Sequence, residues 1–252
     1  MDATVVLQAR MGSSRLPGKA MLPLDGDPTL VREIRRIGTA SSFDREDVVV
    51  ATTNCPCDDV IDWTANRVGA RVYRGPETDV LGRIHAAIEA SGADVVVRAT
   101  GDNPLVDPRL IDELVRTIRT ADVDYVSNKV EGTFPTGLGA SAFTSRAISR
   151  AAETVEDDIY REHMGKYFRD NLNRITWTNV TAREVFDDTL LDEVPDLPNL
   201  RLTMDEPADY RLLSRVFDEV PYDDVLDTET AIRYIVAHDL QAINADVTQA
   251  IS

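Results

Sequence analysis

The sequence predicts an α/β fold, a mostly parallel mixed sheet with helices on both faces. Three observations carry this. Short apolar, β-branched runs alternate with helically spaced segments through the first half, the βαβα rhythm of parallel sheets. One of those runs, residues 94–100 (Asp-Val-Val-Val-Arg-Ala-Thr), is so continuously apolar that both of its faces must be covered. No glycine- or serine-rich linker cuts the 252 residues, so a single domain over 1–252 is expected, with halves 1–124 and 125–252.

Residues 3–7 (Ala-Thr-Val-Val-Leu) read as a buried strand, and 29–37 as a helix behind Pro28. Strand 48–53 precedes a helix over 58–68. Strand 70–74 precedes one over 79–90, and strand 94–100 one over 108–120 that opens on Pro108. The second half is less regular. Short strands are expected at 125–128 and 139–144, a helix at 145–154, a helical stretch at 157–171 and a strand at 174–181. The acidic, proline-bearing stretch 187–198 reads as a loop, 200–204 as a last strand, and 207–220 and 228–238 as helices.

A hydrophobic share of 43% is ample for a core, yet no run reaches the ~18–20 apolar residues of a membrane span. The chain enters its first strand without a basic and apolar leader, so a cytoplasmic protein without a membrane partner is expected. Cys55 and Cys57 flank Pro56; they are too close for an unstrained disulfide and too few for a zinc site, so plain thiols are expected. The net charge is −17, and lysine occurs only at positions 19, 129 and 166, which leaves 24 arginines among the 27 basic residues. Abundant acid with scarce lysine is the composition of a protein adapted to concentrated salt, where screening removes self-repulsion. No basic stripe exists outside the opening loop, which argues against nucleic acid as a partner.

That loop is the most informative stretch. Residues 7–19 read Leu-Gln-Ala-Arg-Met-Gly-Ser-Ser-Arg-Leu-Pro-Gly-Lys and follow the first strand directly. Five residues separate Gly12 from Gly18-Lys19, and Ala20 follows, which is not the spacing of a P-loop; a G-x-G-x-x-G fingerprint is also absent. What remains is a strand-to-helix loop with Arg10, Arg15 and Lys19 beside Ser13, Ser14 and backbone N–H groups, chemistry suited to a triphosphate. Asp102 and Asp205 each follow a strand directly. Taken alone Asp205 is an ordinary helix cap, but two strand-end carboxylates near a phosphate loop suit Mg²⁺, which binds one or two carboxylates plus phosphate oxygens.

These residues resemble a known family. Residues 8–19, the block 98–104 (Arg-Ala-Thr-Gly-Asp-Asn-Pro), Tyr160-Arg161-Glu162-His163 and the block 201–210 are similar, in this order, to the signatures of sugar-acid cytidylyltransferases. The branch named for spore-coat polysaccharide biosynthesis protein F is the most similar one. The resemblance implies a glycosyltransferase-A-like nucleotidyltransferase fold, with CTP and a sugar acid as substrates, Mg²⁺ as cofactor, pyrophosphate as a product and a homodimeric state. It implies that Gln8, Ala9, Arg10, Gly12, Ser13, Ser14, Arg15, Lys19, Arg98 and Asp102 bind the nucleotide. Asp102 and Asp205 would hold the metal and, with Arg10 and Lys19, form the catalytic set; Asn128, Lys129, Arg161 and His163 would meet the sugar. Two departures stand out. Relatives often carry Asp-Val-Glu where this chain has Gly139-Ala140-Ser141-Ala142, and a Thr-Pro-like continuation where it has Met164-Gly165-Lys166. The competing expectations are a nucleotidyl- or glycosyltransferase with another base or acceptor, and a nucleotide-binding protein without turnover.

The charge makes a prediction. Screening lengths fall from ~30 Å at 0.01 M salt to ~3 Å at 1 M. The melting temperature should therefore rise steeply from dilute buffer to molar KCl, and a flat profile by calorimetry would refute salt adaptation.

Overall fold

The computed structural model describes residues 1–248; the last four residues of the expected domain lie outside them. In the first half, β1 (Ala3–Gln8) leads through a small hairpin, β2 (Pro23–Leu24) and β3 (Asp27–Pro28), into α1 (Thr29–Ile37). Next come β4 (Val48–Thr53), α2 (Asp59–Arg67), β5 (Arg71–Gly75), α3 (Val80–Ser91), β6 (Val95–Thr100) and α4 (Pro108–Ala121). The second half contributes β7 (Tyr125–Ser127), β8 (Ser141–Thr144), α5 (Ser145–Thr154), α6 (Asp158–Glu162), α7 (Met164–Asp170) and β9 (Trp177–Asn179). It closes with α8 (Asp188–Glu193), α9 (Pro207–Glu219) and α10 (Thr228–Ala237).

Seven strands form one sheet in the order β5-β4-β1-β6-β8-β7-β9, and β8 runs against both of its neighbours while the other pairings are parallel. The alternating strand residues explain the two layers of helix. Val5, Leu7, Val95 and Val97 join a core with Leu30 and Ile34 of α1, Leu114 of α4 and Leu213 of α9. Val6, Val96, Tyr125 and Phe143 face the other way, onto Leu81 and Ile84 of α3, Ile148 of α5 and Phe168 of α7. The rings of Tyr125 and Phe143 stack 5.0 Å apart, and Phe143 meets Phe168 at 4.6 Å. A strand covered on both faces has no reason to alternate, which is why residues 94–100 are apolar throughout.

The chain departs from the expected pattern at several places. The opening loop does not run straight into α1; Lys19 begins a 3₁₀ turn (Lys19–Met21), and the β2–β3 hairpin intervenes. The helical stretch 157–171 breaks at His163 into α6 and α7. Acid and proline in 187–198 hide the short helix α8, which begins after Asp187 and is anchored by buried Leu190, with Pro195 and Pro198 beyond its end. Residues 200–204 have the apolar alternation of a strand but no sheet to join. Leu202 N–H donates to Thr136 O (2.6 Å) and Met204 N–H to Asp102 O (2.7 Å), leaving a single bridge between Thr136 and Arg201. Gly137, at φ 103°, lies directly against the Leu202–Thr203 peptide and admits no side chain. Cys55 and Cys57 form a disulfide, correcting the expectation of plain thiols; the 3₁₀ turn at Pro56 sets their Cα atoms 5.2 Å apart, inside the usual range. No helix of the described residues is long and apolar enough to cross a membrane.

The path from β1 leads to β4 and β5 on one side, then back to β6 on the other. The strand order therefore reverses at the β1–β6 pair, and such a switch point opens a crevice at the carboxyl ends of the strands. The loops after β1 and β6 leave from that crevice.

Candidate active site

Gln8 and Thr100 are partners at the ends of β1 and β6. Gly101 N–H donates to Gln8 O (2.7 Å), and a Cβ on Gly101 would come within 3.0 Å of the Ala9 Cβ and the Gln8 carbonyl. Only glycine lets the two loops leave side by side. Asp102 then accepts from Thr100 Oγ1 (2.7 Å), while its own carbonyl accepts from Met204 N–H and Thr203 Oγ1. The segment carrying Asp205 is thus pinned to the loop carrying Asp102, 103 residues earlier in the chain.

Lys19 closes the arrangement. Its ammonium donates to Asp102 Oδ2 and to Asp205 Oδ1, at 2.8 Å each, and its side chain is only 14% exposed. Burial favours the neutral amine, but the two carboxylates overcome it and hold the Lys19 pKa above the ordinary lysine value. Burial likewise opposes ionisation of Asp102, and Lys19 reverses the balance, so Asp102 lies below the usual carboxylate range. Arg15 adds contacts to Asp205 (3.5 Å) and Glu206 (3.3 Å), and Arg201 lies 3.7 Å from Asp205.

The other loop residues are accounted for as follows. Arg10 pairs with exposed Glu77 (3.0 Å), a contact that in solvent is worth about 0–1 kcal/mol. Gly12 passes close to the same Glu77; a Cβ there would lie 3.2 Å from its carboxylate. Ser13 Oγ accepts from Leu16 N–H (3.4 Å), and Ser14 is exposed. Gln8 Oε1 accepts from the Arg98 guanidinium (2.9 Å). Each of the three cations in the loop therefore has a carboxylate partner.

The four residues expected to meet the sugar divide into two groups. Asn128 is buried, and its amide is used on both sides: Nδ2–H donates to Leu138 O (2.8 Å) and Oδ1 accepts from Ala140 N–H (3.0 Å). It holds the backbone of the 138–140 segment, and its side chain is enclosed. Arg161 is a strut, donating to Asp79 (2.7 Å) and to the carbonyls of Ala152 and Val155. His163 is exposed at the junction of α6 and α7. Lys129 reaches the cleft wall and lies across Gly139. Dense surrounding protein, then the nearby Arg98, lowers its pKa to about 8; burial likewise lowers Arg98 to about 10. Both side chains keep contact with solvent, Lys129 the more, and both stay charged at neutral pH.

Sequence reasoning passed over three residues. Asp209, fully buried, accepts from Arg201 Nε and Nη2 (2.8 Å each) and from the Asp205 and Glu206 N–H groups (3.0 Å each), so it sets the direction of Asp205. Burial alone would raise its pKa, but the Arg201 and Asn244 hydrogen bonds hold it below the usual range. Its signal was the spacing Glu206-x-x-Asp209 of a capping box. Glu33 of α1 lies beneath Asp102 and had no signal, since an acid on the apolar face of a helix looks like a pattern break. Arg169 of α7 approaches Arg98 beside Gly165.

Among the described residues, no three His, Cys, Asp or Glu side chains gather as a metal site. Asp102 and Asp205 offer two carboxylates, the number Mg²⁺ uses when substrate phosphates complete its shell. A cation-rich loop and a carboxylate pair, set at the switch point of an α/β sheet, are the apparatus of a nucleotidyltransferase. Comparison with known proteins specifies the class. A model of the family described as Cytidylyltransferase matches residues 4–215, and the chain belongs to that family. The spore coat polysaccharide biosynthesis protein SpsF of Bacillus subtilis is 32% identical over 224 residues, covering 86% of this chain and 87% of that one. The 3-deoxy-manno-octulosonate cytidylyltransferase 2 of Hydrogenovibrio crunogenus is 30% identical, covering 66% of this chain and 74% of its own. Among solved structures, a cytidylyltransferase from Leptospira borgpetersenii superposes over the full length of both chains, with a TM-score of 0.85 and 26% identity.

Glu33 supports a pH prediction. It has no solvent exposure; Oε1 accepts from Asn103 N–H (2.7 Å) and Oε2 has no partner. Burial, then the charge on Asp102, raises its pKa well above 4.5. An acid whose folded pKa is raised contributes stability below its unfolded value and loses it as pH climbs through the folded one. Glu33→Gln should therefore melt at a temperature less dependent on pH between 5 and 8, with its advantage over the parent largest at pH 8. Parallel melting profiles would contradict a neutral Glu33.

Proposed function

We propose that this cytidylyltransferase transfers CMP from CTP to a sugar acid, with Mg²⁺, and releases pyrophosphate. The observation that carries the reading is the Lys19 bridge, which draws Asp102 and Asp205 to one cation directly beside the opening loop. The names of the relatives support the acceptor class: one is a 3-deoxy-manno-octulosonate cytidylyltransferase, another a spore-coat polysaccharide biosynthesis protein.

The acceptor's hydroxyl attacks the α-phosphorus of CTP. A phosphorus–oxygen bond forms to the sugar while the bond from the α-phosphorus to the oxygen bridging the β-phosphate breaks; the hydroxyl proton passes to solvent and pyrophosphate leaves. Lys19, Arg10 and Arg15 exchange their carboxylate partners for the outer phosphates and offset the charge that grows on the leaving group. Asp102 and Asp205, held by Thr100 and by the Asp209 contacts, are thereby free to hold Mg²⁺. Mg²⁺ held by Asp102 and Asp205 would supply Lewis-acid polarisation of the α-phosphate and ease ionisation of the attacking hydroxyl. Arg98, kept in place by Gln8, remains on the wall of the cleft. The surrounding residues supply position and charge, which are the main sources of acceleration in such transfers.

Pyrophosphate release over four nucleoside triphosphates and a panel of sugar acids tests the reading. CTP with a 3-deoxy sugar acid should give release, and Asp102→Asn or Asp205→Asn should lower turnover by about 10²–10³-fold without unfolding the protein. Lys19→Ala should weaken CTP more than CMP, by the roughly 1.5–3 kcal/mol of a charge-assisted hydrogen bond. No release with any pair, or equal losses for CTP and CMP, would refute these assignments.

A further inference from the structure

The turn between β4 and α2 carries the only two cysteines of the chain, Cys55 and Cys57, joined as a disulfide. Cys57 is exposed and Cys55 half-buried, so the bond is open to thiols in solution. The residue that follows gives it a consequence. Asp58 is fully buried; its Oδ2 accepts from Thr52 Oγ1 (3.0 Å) and Thr53 N–H (3.1 Å), and its Oδ1 from Met11 N–H (2.8 Å). Burial opposes its charge, but the hydrogen bonds from Thr53 and Met11 hold its pKa below the usual carboxylate range.

Met11 is the hub of the opening loop. Its carbonyl accepts from Ser13 N–H (2.9 Å) and from Gly18 N–H (3.0 Å), so this one residue pins both ends of the segment that holds Ser14 and Arg15. Gly18 then turns the chain into Lys19. A path of direct contacts and chain bonds thus runs from the disulfide to Lys19, through Asp58, Met11 and Gly18.

The redox state acts on the first link of that path. Cys57 Sγ lies 3.7 Å from Asp58 Oδ1. In the disulfide this sulfur has no proton to give. As a thiol it has one, and a weak S–H donor then shares Oδ1 with Met11 N–H. The turn loosens as well. Arg74 clamps its first half, donating to the carbonyls of Thr53 (2.8 Å) and Cys55 (2.7 Å), and the sulfur bond carries that clamp across Pro56 to Cys57.

We propose that Cys55 and Cys57 form a thiol–disulfide control site for the opening loop, opened by an external dithiol. This rests on the reading of that loop as the triphosphate site. A thiolate of the dithiol attacks exposed Cys57 Sγ, the bond between the two protein sulfurs breaks, and Cys55 leaves as a thiolate that takes up a proton. The second thiol of the reagent then attacks its own sulfur in the mixed disulfide and releases Cys57. Two electrons and two protons pass to the protein, and the dithiol leaves as a disulfide. The oxidised form holds Met11 and binds CTP tightly; the reduced form holds it loosely.

Amide hydrogen exchange at Met11, Ser13 and Gly18, with CTP calorimetry on the same samples, tests this. Against the oxidised protein, protein reduced with dithiothreitol should exchange these amides faster and bind CTP about threefold more weakly, the scale of one weakened hydrogen bond. Reoxidation should restore both. Cys55→Ser/Cys57→Ser should stay in the weak form with or without dithiothreitol. The reversible cycle on the parent protein needs no variant, so the test stands even if the variant does not fold. Two free thiols in the oxidised sample, equal exchange in the two forms, or weaker CTP binding without faster exchange at Met11 would overturn the proposal. So would a dithiothreitol effect that persists in the variant. Redox-dependent exchange in a protein that binds no CTP in either form would refute the triphosphate reading and leave the control site standing.

Discussion

One ammonium group organises the cleft. Asp102 and Asp205 come from loops far apart in the chain, and two carboxylates at this distance repel unless a cation lies between them. Lys19 supplies that cation, at 2.8 Å from each. Its position follows from the opening loop, whose Gly18 takes a left-handed turn (φ 73°) just before it. Under the proposed reaction this site would be convertible: a triphosphate would compete for Lys19, and Asp102 and Asp205 would then be able to hold Mg²⁺.

The rest of the fold holds the two carboxylates in place for that exchange. The β1–β6 pair and Gly101 bring the opening loop against the Asp102 loop. Asp209, gripped by Arg201 and Asn244, presents the Asp205 backbone from the far side. Asp58 does the same for the opening loop: it is buried, accepts from Met11 N–H (2.8 Å) and is fixed in turn by Thr52 and Thr53. Both carboxylates are buried and bond only to the chain around them. They convert sheet geometry into the direction of a loop.

The parts of this arrangement that were legible in the sequence are those with local signals. The first-half strands and helices show period and punctuation, and the loop motif and Asp102 stand directly after apolar runs that form β1 and β6. That placed the two loops at one cleft, whereas Asp205 reaches it through the hydrogen bonds of residues 202–204 to Thr136 and Asp102. Other features depend on partners distant in sequence. Residues 200–204 have a strand's alternation, but their hydrogen bonds go to Thr136 and Asp102. Asn128 and Arg161 are polar residues near a recognisable motif, yet Asn128 bonds the backbone of Leu138 and Ala140, and Arg161 bonds Asp79 and the carbonyls of Ala152 and Val155, partners that no spacing reveals. Glu33 is acceptable inside the core only because Asn103 meets it there. The bond between Cys55 and Cys57 depends on how the turn at Pro56 sets their backbones.

The central claim is that Lys19 and Asp205 are energetically one unit with Asp102. A double-mutant cycle on thermal or denaturant stability, with Lys19→Met, Asp205→Asn and the two together, measures this directly. Residues in direct contact typically couple by about 0.5–3 kcal/mol, whereas independent sites add to within about 0.3–0.5 kcal/mol. The account predicts coupling in the upper part of the first range, weakening when CTP is present because Lys19 then has another partner. Additive effects in the nucleotide-free protein would contradict it.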